Sequence, residues 1–452
     1  MRHIKGHLNG FRDMPLKIKF LLQNSELMSK FGYGLVLLSY FLIVFSSPMP
    51  IQVGWIDVVM GAGLVIGVLM TAIPLIVRNG KIFPPLFWML CILIIVPTFI
   101  GIAHENGYAN LIRDILPVMF MSVLPLLALL YARVAYRIDD VNLLIGVILI
   151  VGAVSSLQFY LGTIVSFGSF EKFNVWMASN YATATPLVID VKSEFAKTIR
   201  EFWIKVFDPA VIFSAIYLIC RSIEFILSKH RRPMLGILAL AGGVFCGYGF
   251  SILGLRAFAG LTVLAIAIFL LHLIAQKKVS AWQLIFLGGA GLLIAYPYLA
   301  NIIGLLLAKQ KSAGMNNKAV EFSAVLDTVM ATPFTLLFGV GWGGVFTNPI
   351  YANPESTRFT HSLISFWLLK TGLVGFAVMA SFVLLLFRSI SLKGVWASSR
   401  RTAIFLAASA VMIIGVFFEP TYKMLSFGLI VGLLLAELSS PTESAQEISS
   451  GP

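Results

Sequence analysis

Apolar runs of about 18 residues or more recur from residue 31 to residue 438, and no other feature constrains the fold of this chain as strongly. Each run is long enough to cross a hydrocarbon core of about 30 Å as a helix. A soluble fold of 452 residues could not cover so much apolar surface when 59% of the chain is hydrophobic and only 12% is charged. The mean hydropathy is +0.93. An outer-membrane barrel is excluded, because its segments would be short and alternating. The expected fold class is all-α: a polytopic transmembrane helical bundle.

About twelve spans are expected, near 31–47, 55–77, 82–103, 111–131, 141–163, 206–228, 233–253, 256–275, 281–300, 361–387, 402–418 and 424–438. Residues 1–30 read as a cytoplasmic basic arm, carrying Arg2, Lys5, Arg12, Lys17, Lys19 and Lys30. The arm is too long and too polar for the basic start of a signal peptide, and suits a surface of anionic lipid. With the N-terminus inside, 20 of the 33 basic residues fall on the cytoplasmic side, and the short outer loops 47–54 and 104–110 hold none. The formal charge of +13 therefore reflects topology and lipid contact. No basic groove or aromatic platform suggests a nucleic-acid partner. Cys91, Cys220 and Cys246 lie inside apolar runs and read as small core residues. The transmembrane domain spans 31–438, and the polar residues 439–452 read as a disordered cytoplasmic tail.

Two outer loops are long, about 164–205 and 301–360, and long loops in a compact membrane protein usually carry function. In the second, Val320, Ala324, Leu326, Val329 and Met330 suggest the apolar stripe of a surface helix, with Pro333 as its stop. Asp57, Arg113, Asp114, Asp208, Arg256, Glu419 and Lys423 gather at the outer ends of the spans. Such charges are paired or functional. They outline either a polar outer chamber or a set of local ion pairs such as Arg113–Asp114. Arg256, at the start of RAFAGLTVLAIAIFLL, breaks the positive-inside trend, and its guanidinium could fork onto a phosphate.

Gly339, Gly341, Gly343 and Gly344 fall in LLFGVGWGGVFTNP, which fits a re-entrant or surface turn and lacks the context of a nucleotide-binding loop. Next, RFTHSLISFWLLKTGLVG places His361 where a polar loop becomes a membrane helix. That histidine could cap the helix, or exchange a proton with a substrate hydroxyl. Ser365 follows one turn on. Lys370 lies about 13 Å deeper, on the other side of the helix, either to pair with something inside the bundle or to snorkel.

These pieces, in this order, resemble the O-antigen polymerase and ligase family of bacterial cell-envelope enzymes, which have GT-C-like folds. The carriers are LRAFAG (Arg256), NNKAVEFSAVLDTVMATPF (Lys318, Phe322, Pro333), GVGWG (Gly339, Gly341) and THSLISFWLLKTGLVG (His361, Gly372, Gly375). The likeness covers about 230–440; the N-terminal half matches in hydropathy and in RDILP at 113–117. Lys318 stands where the family usually has arginine, Ser362 where asparagine is commoner, and Lys370 where an acidic residue is frequent.

The resemblance implies a metal-independent glycosyltransferase without a cofactor, acting at the periplasmic face of the bacterial inner membrane. Its donor would be a glycan on undecaprenyl pyrophosphate and its acceptor a second glycan or a lipid. His361 would orient or deprotonate the acceptor hydroxyl and Arg256 would stabilise the leaving group. Lys318, Arg358, Arg200, Arg113, Gly339 and Gly341 would bind pyrophosphate or substrate. Polymerisation of repeat units is the first expectation, with a chain-length regulator protein as a partner. Ligation of finished glycan to lipid A–core, or to a protein, shares the chemistry. A transporter is the reading from another class; it would require inverted repeats, broken helices and charges near the midplane.

Overall fold

The computed structural model of the protein describes residues 16–42, 55–78, 83–134, 137–170, 172–173, 207–227, 232–252, 256–280, 282, 318–348, 356–358, 360–388 and 390–439. Among the described residues the fold is all-α, with fourteen helices: α1 (Leu16–Leu42), α2 (Trp55–Arg78), α3 (Phe83–Ala103), α4 (Tyr108–Val134), α5 (Ile138–Phe167), α6 (Pro209–Leu227), α7 (Pro233–Ile252), α8 (Arg256–Ala275), α9 (Lys318–Met330), α10 (Pro333–Phe338), α11 (Leu363–Phe387), α12 (Leu392–Val395), α13 (Ser399–Phe417) and α14 (Leu425–Ser439). A 3-10 turn, Pro420–Lys423, joins the last two long helices. Among the described residues the only β pairing is a two-residue antiparallel ladder, β1 (Phe346–Thr347) with β2 (Ser356–Thr357).

Nine of the helices are long and apolar enough to cross a membrane, which makes this a multi-pass membrane protein. Two of the expected spans appear as shorter apolar helices, Leu27–Leu42 and Leu425–Ser439, and the one expected at 281–300 lies outside the described residues. Helix α1 runs unbroken from Leu16, through the second half of the expected basic arm. Prolines 74, 97, 117 and 125 sit inside helices, as membrane helices tolerate when neighbours satisfy the freed backbone groups.

The core is formed where α4, α5, α6, α13 and α14 meet. Helix α14 is buried from Leu425 to Leu438 and is the central element. Its start is tied to α1 by the Tyr40 hydroxyl, 3.0 Å from Ser426 Oγ.

Ion pairs and hydrogen bonds fix which termini share an end. At one end, α13 begins and α14 finishes, joined by Arg400 and Glu437 at 3.3 Å. The end of α8 reaches the same place, through Lys278 Nζ and Ser399 Oγ at 2.6 Å. Helices α8 and α13 are therefore antiparallel, so Arg256 and Phe417 fall at the opposite end. Lys318 and Thr360 also lie at that opposite end: Lys318 meets Glu419 at 3.1 Å, and the Tyr422 hydroxyl donates to the Thr360 carbonyl at 3.0 Å.

The described part of the second long loop, chiefly 318–348, is structured, and it refines the expectations for that loop. The buried face of α9 is Glu321, Val325 and Val329, whereas Val320 and Met330 are exposed. This face packs on Leu368 and Leu369 of α11 and on Phe346, so the helix rests on the bundle. Pro333 opens α10, where its missing N–H costs nothing, behind a capping box of Thr332 and Thr335. Of the first long loop, α5 ends in the left-handed Gly168, and 174–206 lie outside the described residues.

Candidate functional site

His361 precedes α11, and the cap of that helix is the next residue. Ser362 accepts the Ser365 N–H at 3.1 Å. Ser365 is thereby occupied by the cap, and the His361 side chain is left for other work. Both of its hydrogen-bonding contacts go to one carboxylate. Its backbone N–H donates to Glu321 Oε1 at 2.7 Å, and its ring Nδ1 lies 2.6 Å from Glu321 Oε2. The Asn348 amide adds a contact to Oε2 at 3.3 Å. Glu321 is buried on α9, while the His361 side chain is 40% exposed. Burial alone would push the Glu321 carboxyl up, but the His361 ring, its N–H and Asn348 outweigh this and hold it below its ordinary value. An ionised carboxylate only accepts, so Nδ1 carries a proton, and in a neutral ring Nε2 would be the acceptor.

A second ion pair lies deeper. Lys370 of α11 and Asp114 of α4 meet at 2.6 Å with both side chains fully buried. The expected Arg113–Asp114 pair does not form: Arg113 is exposed, and Asp114 turns inward to a cation from the other half of the chain. The glycine loop closes this pair. Gly343 N–H donates to Asp114 Oδ2 at 2.6 Å, and Lys370 donates to the Gly344 carbonyl. Asp114 Oδ1 is buried without a hydrogen-bond partner.

The loop reaches this depth because backbone packs directly on backbone. Val340 and Gly341 N–H groups donate to the Leu369 and Lys370 carbonyls at 2.9 and 3.1 Å, and Trp342 N–H donates to Pro97 at 3.0 Å. Gly339 has φ +74°, and a Cβ there would lie 2.5 Å from the Lys370 carbonyl carbon. Across from it α11 breaks at Gly372, whose φ of +61° is non-helical. A Cβ at Gly372 would lie 2.5 Å from the Leu337 carbonyl carbon, so each glycine makes room for the other. The loop is therefore a tight turn packed on α3 and α11, with Gly339 and Gly341 serving as sites of close approach.

Lys423, on the 3-10 turn, joins the two ion pairs electrostatically. It is half-buried, and burial drives its ammonium down from 10.5 to about 7. Asp114 and Glu321 favour its charge; Lys370 and Arg358 oppose it. Arg358 also donates to Asn110 Oδ1 at the start of α4. Tyr422 lies beneath, within electrostatic reach of Glu321 and Asp114, and burial raises its hydroxyl well above its ordinary value. Three cations (Arg358, Lys370, Lys423) thus face two carboxylates beside one exposed imidazole.

The other expected site residues are distributed as follows. Lys318 is at the same end, engaged by Glu419 and the Phe418 carbonyl. Arg256 opens α8 at that end, and its side chain lies outside the described residues. Arg200 also lies outside them, as does the side chain of Asp57. Asp208 caps α6, accepting the Ala210 N–H at 2.8 Å. Sequence reasoning missed Glu321 because a carboxylate on the buried stripe reads as polar exposure. It missed Asn348 and Tyr422 because neither type is distinctive alone. The available signal for Glu321 was its i, i+4, i+8 spacing with Val325 and Val329. Neither a family model, nor a curated protein, nor a solved structure matches the chain.

Proposed function

We propose that this protein is a glycosyltransferase of the bacterial inner membrane that polymerises oligosaccharide repeat units carried on undecaprenyl pyrophosphate. The observation that carries the reading is the His361–Glu321 pair: an imidazole fixed by a buried carboxylate, with its free nitrogen at the rim of a membrane bundle. The acceptor hydroxyl gives its proton to His361 Nε2 as its oxygen bonds to the anomeric carbon. The anomeric carbon–oxygen bond to pyrophosphate breaks, and the electron pair leaves with the diphosphate. Lys423 and Arg358, beside the pair, are placed to stabilise that growing negative charge. The bond broken is already activated, so the reaction needs no other energy source. The bias of basic residues toward the other end supports an orientation with the His361 end in the periplasm. The resemblance in 230–440 supports the same class, with Arg256 and Lys318 as further anion contacts and a chain-length regulator as a partner. A ligase delivering glycan to lipid A–core, or to a protein, would use the same residues.

One observation favours a second reading, a transporter of lipid-linked glycan. A helix broken at Gly372, two residues from a fully buried ion pair, is a feature of alternating-access carriers.

Purified protein in nanodiscs, supplied with lipid-linked repeat units, separates the three. A polymerase lengthens the lipid-linked glycan and releases undecaprenyl pyrophosphate. A ligase releases it only when lipid A–core is added. A transporter moves a labelled donor across a liposome membrane and breaks no bond. The polymerase reading is lost if repeat units persist unextended while either other outcome is seen.

A further inference from the structure

The opposite end of the bundle carries a second charge cluster, which glycosyl transfer does not use. Four helices contribute. Arg221 and Glu224 of α6 form an ion pair, and Lys278 beyond α8 reaches Glu224 at 3.6 Å. Arg400 and Arg401 of α13 approach the buried Glu437 of α14 at 3.3 and 3.6 Å. Tyr217 lies within electrostatic reach of Arg221, Arg400, Glu224 and Glu437, which makes these one cluster.

The tendency of basic residues to lie inside accounts for the sign of this charge but not for its burial. Arginines that only mark topology extend into water or headgroups. Here the Arg400 and Arg401 side chains are 19% and 8% exposed. Among the described residues four cations share two carboxylates, and an excess of charge held away from water calls for a counter-anion. Arg400 Nη2 is buried without a hydrogen-bond partner. So is Nε2 of His272, a residue 6% exposed and within electrostatic reach of Glu224 and Lys278. An unsatisfied guanidinium donor beside surplus positive charge matches a tetrahedral oxyanion, which forks onto guanidinium.

We propose that this end of the bundle holds a binding site for a phosphate group, with Arg400 as its principal donor. A phospholipid headgroup of the adjoining leaflet and a free phosphate share the required chemistry. The site is independent of the catalytic reading.

The test uses the full chain in detergent and native mass spectrometry. The protein is incubated with phosphatidylglycerol or with phosphatidylcholine, each with and without inorganic phosphate. Wild type should retain phosphatidylglycerol severalfold over phosphatidylcholine, and inorganic phosphate should displace it. Arg400→Gln should lower retention about tenfold. If Arg400→Gln does not fold, Arg400→Lys keeps the charge, loses the fork, and should still retain less. The double variant Arg388→Gln/Lys393→Gln removes exposed cations at the same end and should retain as much as wild type. Phosphate protecting the protein from thermal unfolding without lipid retention would support the site with a soluble occupant. Equal retention of both lipids with no effect of phosphate would overturn the proposal, as would Arg400→Gln or Arg400→Lys behaving as wild type. Equal loss in the exposed double variant would overturn it too, by reducing the effect to general surface charge.

Discussion

The two ends of the bundle bury ionisable groups in different ways. At the His361 end, cations and carboxylates are paired across long stretches of chain: Glu321 with His361, Asp114 with Lys370. Each pair is clasped by backbone, the first by the His361 N–H and the second by the glycine loop. At the Arg400 end, among the described residues, four cations meet two carboxylates and a donor, Arg400 Nη2, is buried without a hydrogen-bond partner, where the first end leaves an acceptor, Asp114 Oδ1, in that state. The first arrangement suits a place where bonds are made, because preorganised groups keep their geometry as charge develops. The second suits a place where something charged rests.

The contrast breaks most sharply at Lys370. Lys370→Met leaves the Asp114 carboxylate buried and alone, which should cost about 3–5 kcal/mol of stability. Thermal unfolding in nanodiscs reads this as a fall in midpoint. Adding Asp114→Leu should recover most of the loss, because an apolar pair carries no desolvation penalty. A single variant as stable as wild type would mean that the pair is not a closed structural unit.

Next in size is Glu321→Gln. The glutamine keeps the shape but no longer fixes the proton on Nδ1, so transfer should slow by about one to two powers of ten, less than on removing the imidazole. Its signature is in kcat, with KM little changed. A change confined to KM would make Glu321 a binding residue.

The smallest effect is the dependence on pH near neutrality. The folded Lys423 loses its proton near pH 7, well below its ordinary 10.5. Between those values the unfolded chain binds more protons, so stability should rise with pH across that window. Anion capture runs the other way, falling as Lys423 is neutralised above about pH 7. Lys423→Met should remove both slopes. A variant with the wild-type slopes would relieve Lys423 of either role.

Much of this fold was legible in the sequence, for one physical reason. In lipid, a backbone can satisfy itself only as a helix, so apolar length gives the spans almost directly. The position of His361 at a helix lip was legible for the same reason, since the polar-to-apolar junction marks the membrane boundary. What the sequence left hidden depends on contacts between distant segments. Asp114 has Arg113 beside it as an apparent partner, and nothing local says that it turns to Lys370 instead. Glu321 interrupts an apolar stripe, so the helix reads as rotated until Val325 and Val329 are seen against α11. Pro333 reads as a helix stop; only the Thr332 cap shows it as a start.

The most direct test of the account is single-turnover release of undecaprenyl pyrophosphate from a lipid-linked repeat unit, comparing wild type with His361→Ala in matched nanodiscs. The account predicts release by wild type and a slowing of about 10²–10⁴-fold in the variant, with donor still bound. Release at the wild-type rate, or no release by either protein when donor and acceptor are both present, would contradict it.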